Sequence, residues 1–376
     1  MKAAVDTSRA MREPRSPVLH GLGVIARWHR LLAVAAVLGL LVLAVSLLEQ
    51  DGFYAALLVQ MLVFAIAAMG LDFLGGYGGL VSLGQAGYVG LGAYGVAIGE
   101  QHGMGPWTAV AVSLLVVLAV GLITGPLAIR VSGIGFVIIT LAMGQIMWGL
   151  ASRWASLSGG DNGLAILSAP VIGPIDLNDL RTQSLAVLVV FVIAALVLRI
   201  FVSSPFGLSL RGIRSNEQRL RTLGYATGLH RYIGYVVSVF FGGVAGVLFA
   251  FTNGLISPVA MDFSHNGLIT LMAVLGGLGT LWGPALGSVI ILGFEQWLSI
   301  YFSRWATAMG IVFVVIVLFA PEGVWGLLQR AGRWFVSLSS ARPGETAAAM
   351  QPAESPPSAD AQSSVDGPVE TAKARP

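Results

Sequence analysis

From residue 31 to residue 320 the sequence is a succession of apolar runs separated by short polar turns. Most are near the roughly 20 residues that a helix needs to cross a bilayer. The runs lie at about 31–48, 53–73, 80–99, 107–129, 134–151, 183–203, 232–252, 266–281, 284–302 and 305–320. Only 10% of the 376 residues are charged, where soluble domains carry about 25%. There is too little polar surface to cover such a chain in water. The pattern predicts an all-α polytopic membrane protein with about ten transmembrane helices. The first run is longer than the apolar core of a signal peptide, about 7–15 residues, and reads as a membrane span.

Charge tests the count. Ten alternating crossings put both termini on one side, together with every Lys and Arg except Arg153, Arg181 and Arg304. The other side collects Glu49, Asp51, Glu100, Asp161, Asp176, Asp179 and Asp262. By the positive-inside rule the basic side is cytoplasmic. Making the short, Gly-rich third or eighth run re-entrant would spoil this partition. The expected organisation is a basic cytoplasmic N-terminus (1–30), a transmembrane domain (31–336) and a disordered Ala/Pro/Ser-rich cytoplasmic tail (337–376). Runs one to five start inside and runs six to ten start outside, as in two inverted five-helix halves with a path between them.

The longest internal polar, basic interruption is 204–231, with Arg211, Arg214, Arg219, Arg221 and Arg231 against one acid, Glu217. Ser215 followed by Gln218 fits a capping box that starts a helix near Asn216. Gly224 suits its stop. The helix between is amphipathic, with Leu220 and Leu223 against Arg219 and Arg221. Such a loop has a topology role in any case, but a capped helix with apolar residues points to docking on a soluble partner.

Two Gly-rich stretches, Gly75–Gly95 and Leu271–Pro284, break apolar runs in both halves. They provide close helix packing or a broken, path-lining segment. Ser82, Gln85 and Tyr88 recur at i, i+3 and i+6. Ser264, Thr270, Gly276 and Gly277 mark the second stretch. Asp72 and Glu295 are the acids closest to span interiors, and intramembrane acids are functional candidates. All five histidines fall outside the runs, which argues against a proton relay. Cysteine is absent, which removes thiolate metal sites and disulfides. The two lysines, Lys2 and Lys373, do not follow glycine, so no P-loop is present. No cofactor, catalytic constellation or nucleic-acid partner is expected. If ATP drives the protein, another subunit hydrolyses it. An ion-coupled secondary transporter or channel is the alternative of another class.

Four motifs in order resemble branched-chain amino acid ABC-importer permeases of the LivH/LivM-like family, LivM type. They are Gly76-Tyr77-Gly78-Gly79-Leu80-Val81-Ser82-Leu83-Gly84, Gly159-Gly160-Asp161-Asn162-Gly163-Leu164, Ile213-Arg214-Ser215-Asn216-Glu217 with Leu223-Gly224, and Gly276-Gly277-Leu278-Gly279-Thr280 with Gly283-Pro284. They fall within about residues 50–330. The resemblance implies a type II importer fold in a bacterial inner membrane. It also implies a second, LivH-like permease subunit, two cytoplasmic ATP-binding subunits and an extracytoplasmic solute-binding protein. The ATPase-coupling residues would be Arg211, Arg214, Asn216, Glu217, Arg219, Arg221, Leu223 and Gly224. Asp72 stands where the family often has asparagine, and Arg219 and Arg221 where small residues are common. Related permeases carry branched-chain amino acids, urea, short amides and other small organic solutes.

Overall fold

A computed structural model describes residues 52–167, 170–172 and 175–301, with isolated positions between 307 and 326. The basic segment 1–30, the run at 31–48, most of the run at 305–320 and the tail 337–376 lie outside the described residues.

The helices are α1 (Gly52–Asp72), continued by a π turn at Phe73–Tyr77, α2 (Gln85–Gln101), α3 (Pro106–Ala128), α4 (Ile134–Arg153), the single turn α5 (Ala155–Ser158), α6 (Leu180–Ser203), α7 (Pro205–Thr222), α8 (Thr227–Asn253), α9 (Phe263–Gly276) and α10 (Gly283–Tyr301). Five of the described segments are long and apolar enough to cross a membrane: 52–77, α3, α4, α6 and α8. Most boundaries fall close to the apolar runs, because length and hydropathy are local properties. Short strands complete the turns. β1 (Leu164–Ala165) pairs antiparallel with β4 (Leu255–Ile256), and β2 (Val171–Ile172) with β3 (Ile175–Asp176).

α1 and α8 are mostly buried; α3, α4 and α6 expose most of their length. Their exposed side chains are apolar: Leu115 and Ile123 of α3, Ile138 and Ile146 of α4, Val189 and Ile193 of α6. Bare apolar faces of this extent suit contact with lipid or with another membrane subunit. α8 lies against α1, α2 and α3. At the α2–α8 crossing Gly92 meets the Gly243 backbone and Gly246 meets the Val89 carbonyl, so closely that a Cβ on either would overlap main-chain atoms. Small residues permit such approach, and dispersion between the backbones then holds the pair. Ser113 Oγ of α3 adds a hydrogen bond to the Gly92 carbonyl at 2.6 Å. The glycines of the first Gly-rich stretch that lie within α2 are therefore contact positions.

The run expected to be helical over 80–99 begins its helix only at Gln85, and it begins inside the bundle. Gln85 Nε2 donates to the carbonyl of Ser238, near the middle of α8, at 3.0 Å. The amides around the start of α2 are satisfied by side chains, two of them distant. Asn266 Oδ1 of α9 accepts from Ala86 N at 2.8 Å, and Thr140 Oγ1 of α4 accepts from Leu83 N at 3.1 Å. Ser82 Oγ accepts from Gly84 N at 3.2 Å. Ser82 therefore precedes the helix and does not share a helical face with Gln85 and Tyr88. A buried helix start requires such acceptors, and here they come from elements far away in sequence.

The charges separate by end. Arg130, Arg199 and the arginines of 204–231 lie at the end holding α7 and the α3–α4 turn, whereas Arg153, Asp161, Asp179 and Asp262 lie at the other. At that other end Gly159, Gly160 and Gly163 take left-handed backbone (φ 71°, 58° and 72°) and lead into β1.

Candidate functional site

The arginine-rich end is organised by α7. Its N-cap is Ser204, whose Oγ accepts from Gly207 N at 3.4 Å, and Pro205 occupies the first turn. The helix is interrupted at Asn216, where the backbone is extended (φ −163°, ψ 99°). Asn216 Oδ1 accepts from Arg219 N at 3.0 Å and caps the second segment. This corrects the expected capping box: Ser215 Oγ donates back to the Gly212 carbonyl at 2.9 Å and caps nothing. Both residues have capping chemistry, and the extended backbone at 216 decides between them. Gly224, at φ 85°, follows the end of the helix. Leu220 packs back onto Gly212, whereas Leu223, Tyr225 and Leu229 are exposed.

Glu217 is engaged within the chain. Its carboxylate accepts from Arg221 at 2.7 Å, Arg231 at 3.2 Å and Thr227 Oγ1 at 3.2 Å. Arg231 also donates to the Val131 carbonyl at 3.4 Å. The carboxylate thus ties the second segment of α7 to the start of α8, which in turn reaches the α3–α4 turn. The two ion pairs are unequal. The Arg231 side chain is 8% exposed and that of Arg221 is 64% exposed, so water screens the latter. Partial burial pushes the Glu217 carboxyl up, but Arg231, and after it Arg221 and Thr227, outweigh burial and hold it below 4.5. A depressed carboxylate stabilises the fold above its unfolded pKa, and the contribution disappears as pH falls through the lower folded value. Glu217→Ala is expected to cost about 1–3 kcal/mol by leaving a nearly buried cation unpaired. Arg221→Ala is expected to cost under about 1 kcal/mol. Thermal unfolding of the purified variants from pH 7 to pH 3 checks both, and the gap between wild type and Glu217→Ala should close towards pH 3.

The same end holds a second construction. Asp72, fully buried at the end of α1, accepts from Gly279 N through Oδ1 and from Leu281 N through Oδ2, the latter at 3.1 Å. These amides belong to the 277–282 break between α9 and α10. The break is tightly bent: Gly277, Gly279 and Leu281 have φ 114°, 86° and 61°. Leu281 is the non-glycine among the described residues with positive φ, a conformation that costs an L-residue about 1–2 kcal/mol. Gly76, in the π turn, lies so close to Asp72 and Gly279 that a Cβ there would overlap both. From α7, Arg214 Nη1 donates to the Gly76 carbonyl. The Arg211 guanidinium lies 4.8 Å from the centre of the Tyr77 ring, a cation–π contact. Asp72 thus joins α1 to the helix break, and α7 grips the turn beside it. The sequence marked Asp72 as an intramembrane acid but offered no sign of its partners.

The predicted path residues fall into three places. Gln85 and Tyr88 are buried between α2 and α8, where the Tyr88 hydroxyl meets those of Tyr235 and Thr124, the latter at 2.9 Å, and Ser82 is buried in the turn before α2. Thr270 Oγ1 donates to the Asn266 carbonyl at 2.9 Å, while Ser264 is exposed in the first turn of α9. Gly276 and Gly277 sit at the break, Gly276 against the Gly283 carbonyl. Asn266, fully buried and bridging α9 to α2, was missed by sequence reasoning; a buried amide in an apolar run was the available signal.

A family described as "Branched-chain amino acid transport system / permease component" matches residues 53–320. The high-affinity branched-chain amino acid transport system permease protein LivM of Escherichia coli K12 is 24% identical over 287 residues, which cover 70% of this chain and 68% of that protein. The Salmonella typhimurium LivM protein matches equally. The guanosine ABC transporter permease protein NupQ of Bacillus subtilis is 33% identical over 138 residues, 35% of this chain and 40% of that protein. No solved structure matches. The family match spans every described helix from α1 to α10, and the chain belongs to the branched-chain amino acid transport system permease family.

Proposed function

We propose that this chain is one permease subunit of an ATP-driven importer for leucine, isoleucine and valine. It works with a LivH-like permease, two cytoplasmic ATP-binding subunits and an extracytoplasmic solute-binding protein. It spans the inner membrane ten times, with both termini cytoplasmic and two inverted five-helix halves. Gly323 lies against Gly277, at the opposite end of α10 from Tyr301, which supports a further crossing between 301 and 323. The observation that carries the reading is α7. With the turn that follows it and the start of α8, it presents exposed Arg219, Leu223, Tyr225 and Leu229 outward, and through Arg214 it holds the turn beside the helix break. A partner pressing on its outer face has a direct bonded route to the break.

Glu217 and Arg214 bond inside the chain, so Leu223 is the cleaner probe of docking. Leu223→Asp is expected to weaken ATP-subunit association about tenfold, roughly 1.4 kcal/mol, with thermal stability unchanged. Pull-down and ATP-driven uptake in proteoliposomes report it. Uptake that persists without any ATP-binding subunit and collapses with an ionophore would overturn the importer reading in favour of ion coupling. The NupQ similarity favours a second substrate class, nucleosides. Competition of leucine uptake by excess guanosine separates the two.

A further inference from the structure

We infer that the arginine-rich end carries a binding site for an anionic phospholipid, with the phosphate between Arg199 and Arg211. A cavity of about 590 Å³ opens there, lined by Arg199 and Ser203 of α6, Ser204 and Arg211 of α7, Tyr77 and Trp282 among others. No acidic side chain lines it. The ion pairs at this end engage Arg221 and Arg231, and no described carboxylate pairs with Arg199 or Arg211. Asp72, behind the Tyr77 wall, is fully buried and bonded to the amides of Gly279 and Leu281. Arg211 touches the Tyr77 ring, but neither guanidinium has a described carboxylate partner, and two such groups in one recess attract an anion. The start of α7 at Ser204 and Pro205 borders the recess and adds the positive end of its first segment, which runs from 205 to the interruption at Asn216.

The source of the anion is decided by what adjoins the recess. Leu196, Val197 and Ile200 are exposed on α6 immediately beside Arg199. An arginine among such residues extends its head towards the headgroup region while its stem stays in hydrocarbon. Trp282 and Tyr77 are the aromatic types enriched at that depth. Acyl chains along Ile200 and a phosphate between the arginines use both properties, whereas free phosphate uses only the second. Basic recesses between helices on the cytoplasmic side are the expected form of such sites. The occupant would also touch Leu281 and Trp282, next to the amides that Asp72 holds. The site stands whatever solute the protein carries.

The test is native mass spectrometry of the delipidated full chain, titrated with phosphatidylglycerol or with phosphatidylcholine of the same acyl chains. Wild type is expected to retain phosphatidylglycerol preferentially. Arg199→Gln should lower that retention about fivefold, the loss expected for one basic residue at an anionic surface. Arg199→Lys should keep most of it. Arg153→Gln, exposed at the opposite end, should change nothing. A melting curve of each variant separates lost binding from lost fold, and the lysine variant keeps the comparison decisive if the glutamine variant is unstable. Equal retention of the two lipids, or unchanged retention in Arg199→Gln, overturns the site. Inorganic phosphate that occupies it with no preference between lipids also overturns the lipid assignment.

Discussion

Asp72→Ala is expected to abolish substrate uptake and to lower stability by about 2–6 kcal/mol. The figure follows from the two amides it would strand. Gly279 N and Leu281 N both donate to this carboxylate, and each buried donor left without a partner costs about 1–3 kcal/mol. The loss falls on a segment that already holds Leu281 at φ 61°, so the break has reason to relax once its acceptor is gone. Asp72→Asn retains one acceptor oxygen but turns an NH2 towards the other amide, and an intermediate loss is expected. Two readouts separate structure from coupling. Thermal unfolding reports the stability term. On the proposed function, ATP hydrolysis by the assembled complex that continues while uptake falls would place the loss between α7 and the break. A variant that melts with wild type and transports normally would remove Asp72 from the coupling route.

Gly246→Val is expected to be the most damaging change at the centre of the bundle, at about 3 kcal/mol. Overpacking costs about 1–3 kcal/mol where side chains can rearrange. At Gly246 the obstruction is the Val89 carbonyl, and a backbone atom inside a hydrogen-bonded helix cannot rotate away. The two helices must separate, and the contacts of α1 and α3 with α8 are disturbed as well. Gly228→Ala is the matched control, since it lies in the first turn of the same helix with nothing within 4 Å of an added Cβ. It should be neutral or slightly stabilising, because alanine is the better helix former. Equal melting temperatures for the two variants in detergent would show that the α2–α8 crossing is looser than its geometry implies.

How much of this was legible in the sequence depends on the distance between partners. α3, α4, α6 and α8 were placed within a few residues, since each is a long apolar run with local breakers. The cap within 204–231 was legible to one position. Ser215 and Asn216 are both capping types, and only the backbone angle at 216 separates them. The intrachain partners of Glu217 were not read from the sequence. Its i,i+4 partner Arg221 is visible in sequence, but the pair that matters, with Arg231, depends on how α8 turns back on α7. The start of α2 was misplaced because the acceptors around it, Asn266 for Ala86 and Thr140 for Leu83 just before the helix, lie on α9 and α4.

The sequence by itself determined that the chain is a helical membrane protein, which end collects its arginines, where its glycine breaks fall and which family it resembles. Hydropathy, charge and motif spacing add up residue by residue, and folding does not alter them. Only the tertiary structure decided that Asp72 meets Gly279 and Leu281, that Asn266 caps α2, and that Arg214 of α7 reaches the turn beside the break. A hydrogen bond needs donor and acceptor within about 3 Å. Which residues reach that distance is set by how the helices pack, and the order of the chain leaves it open.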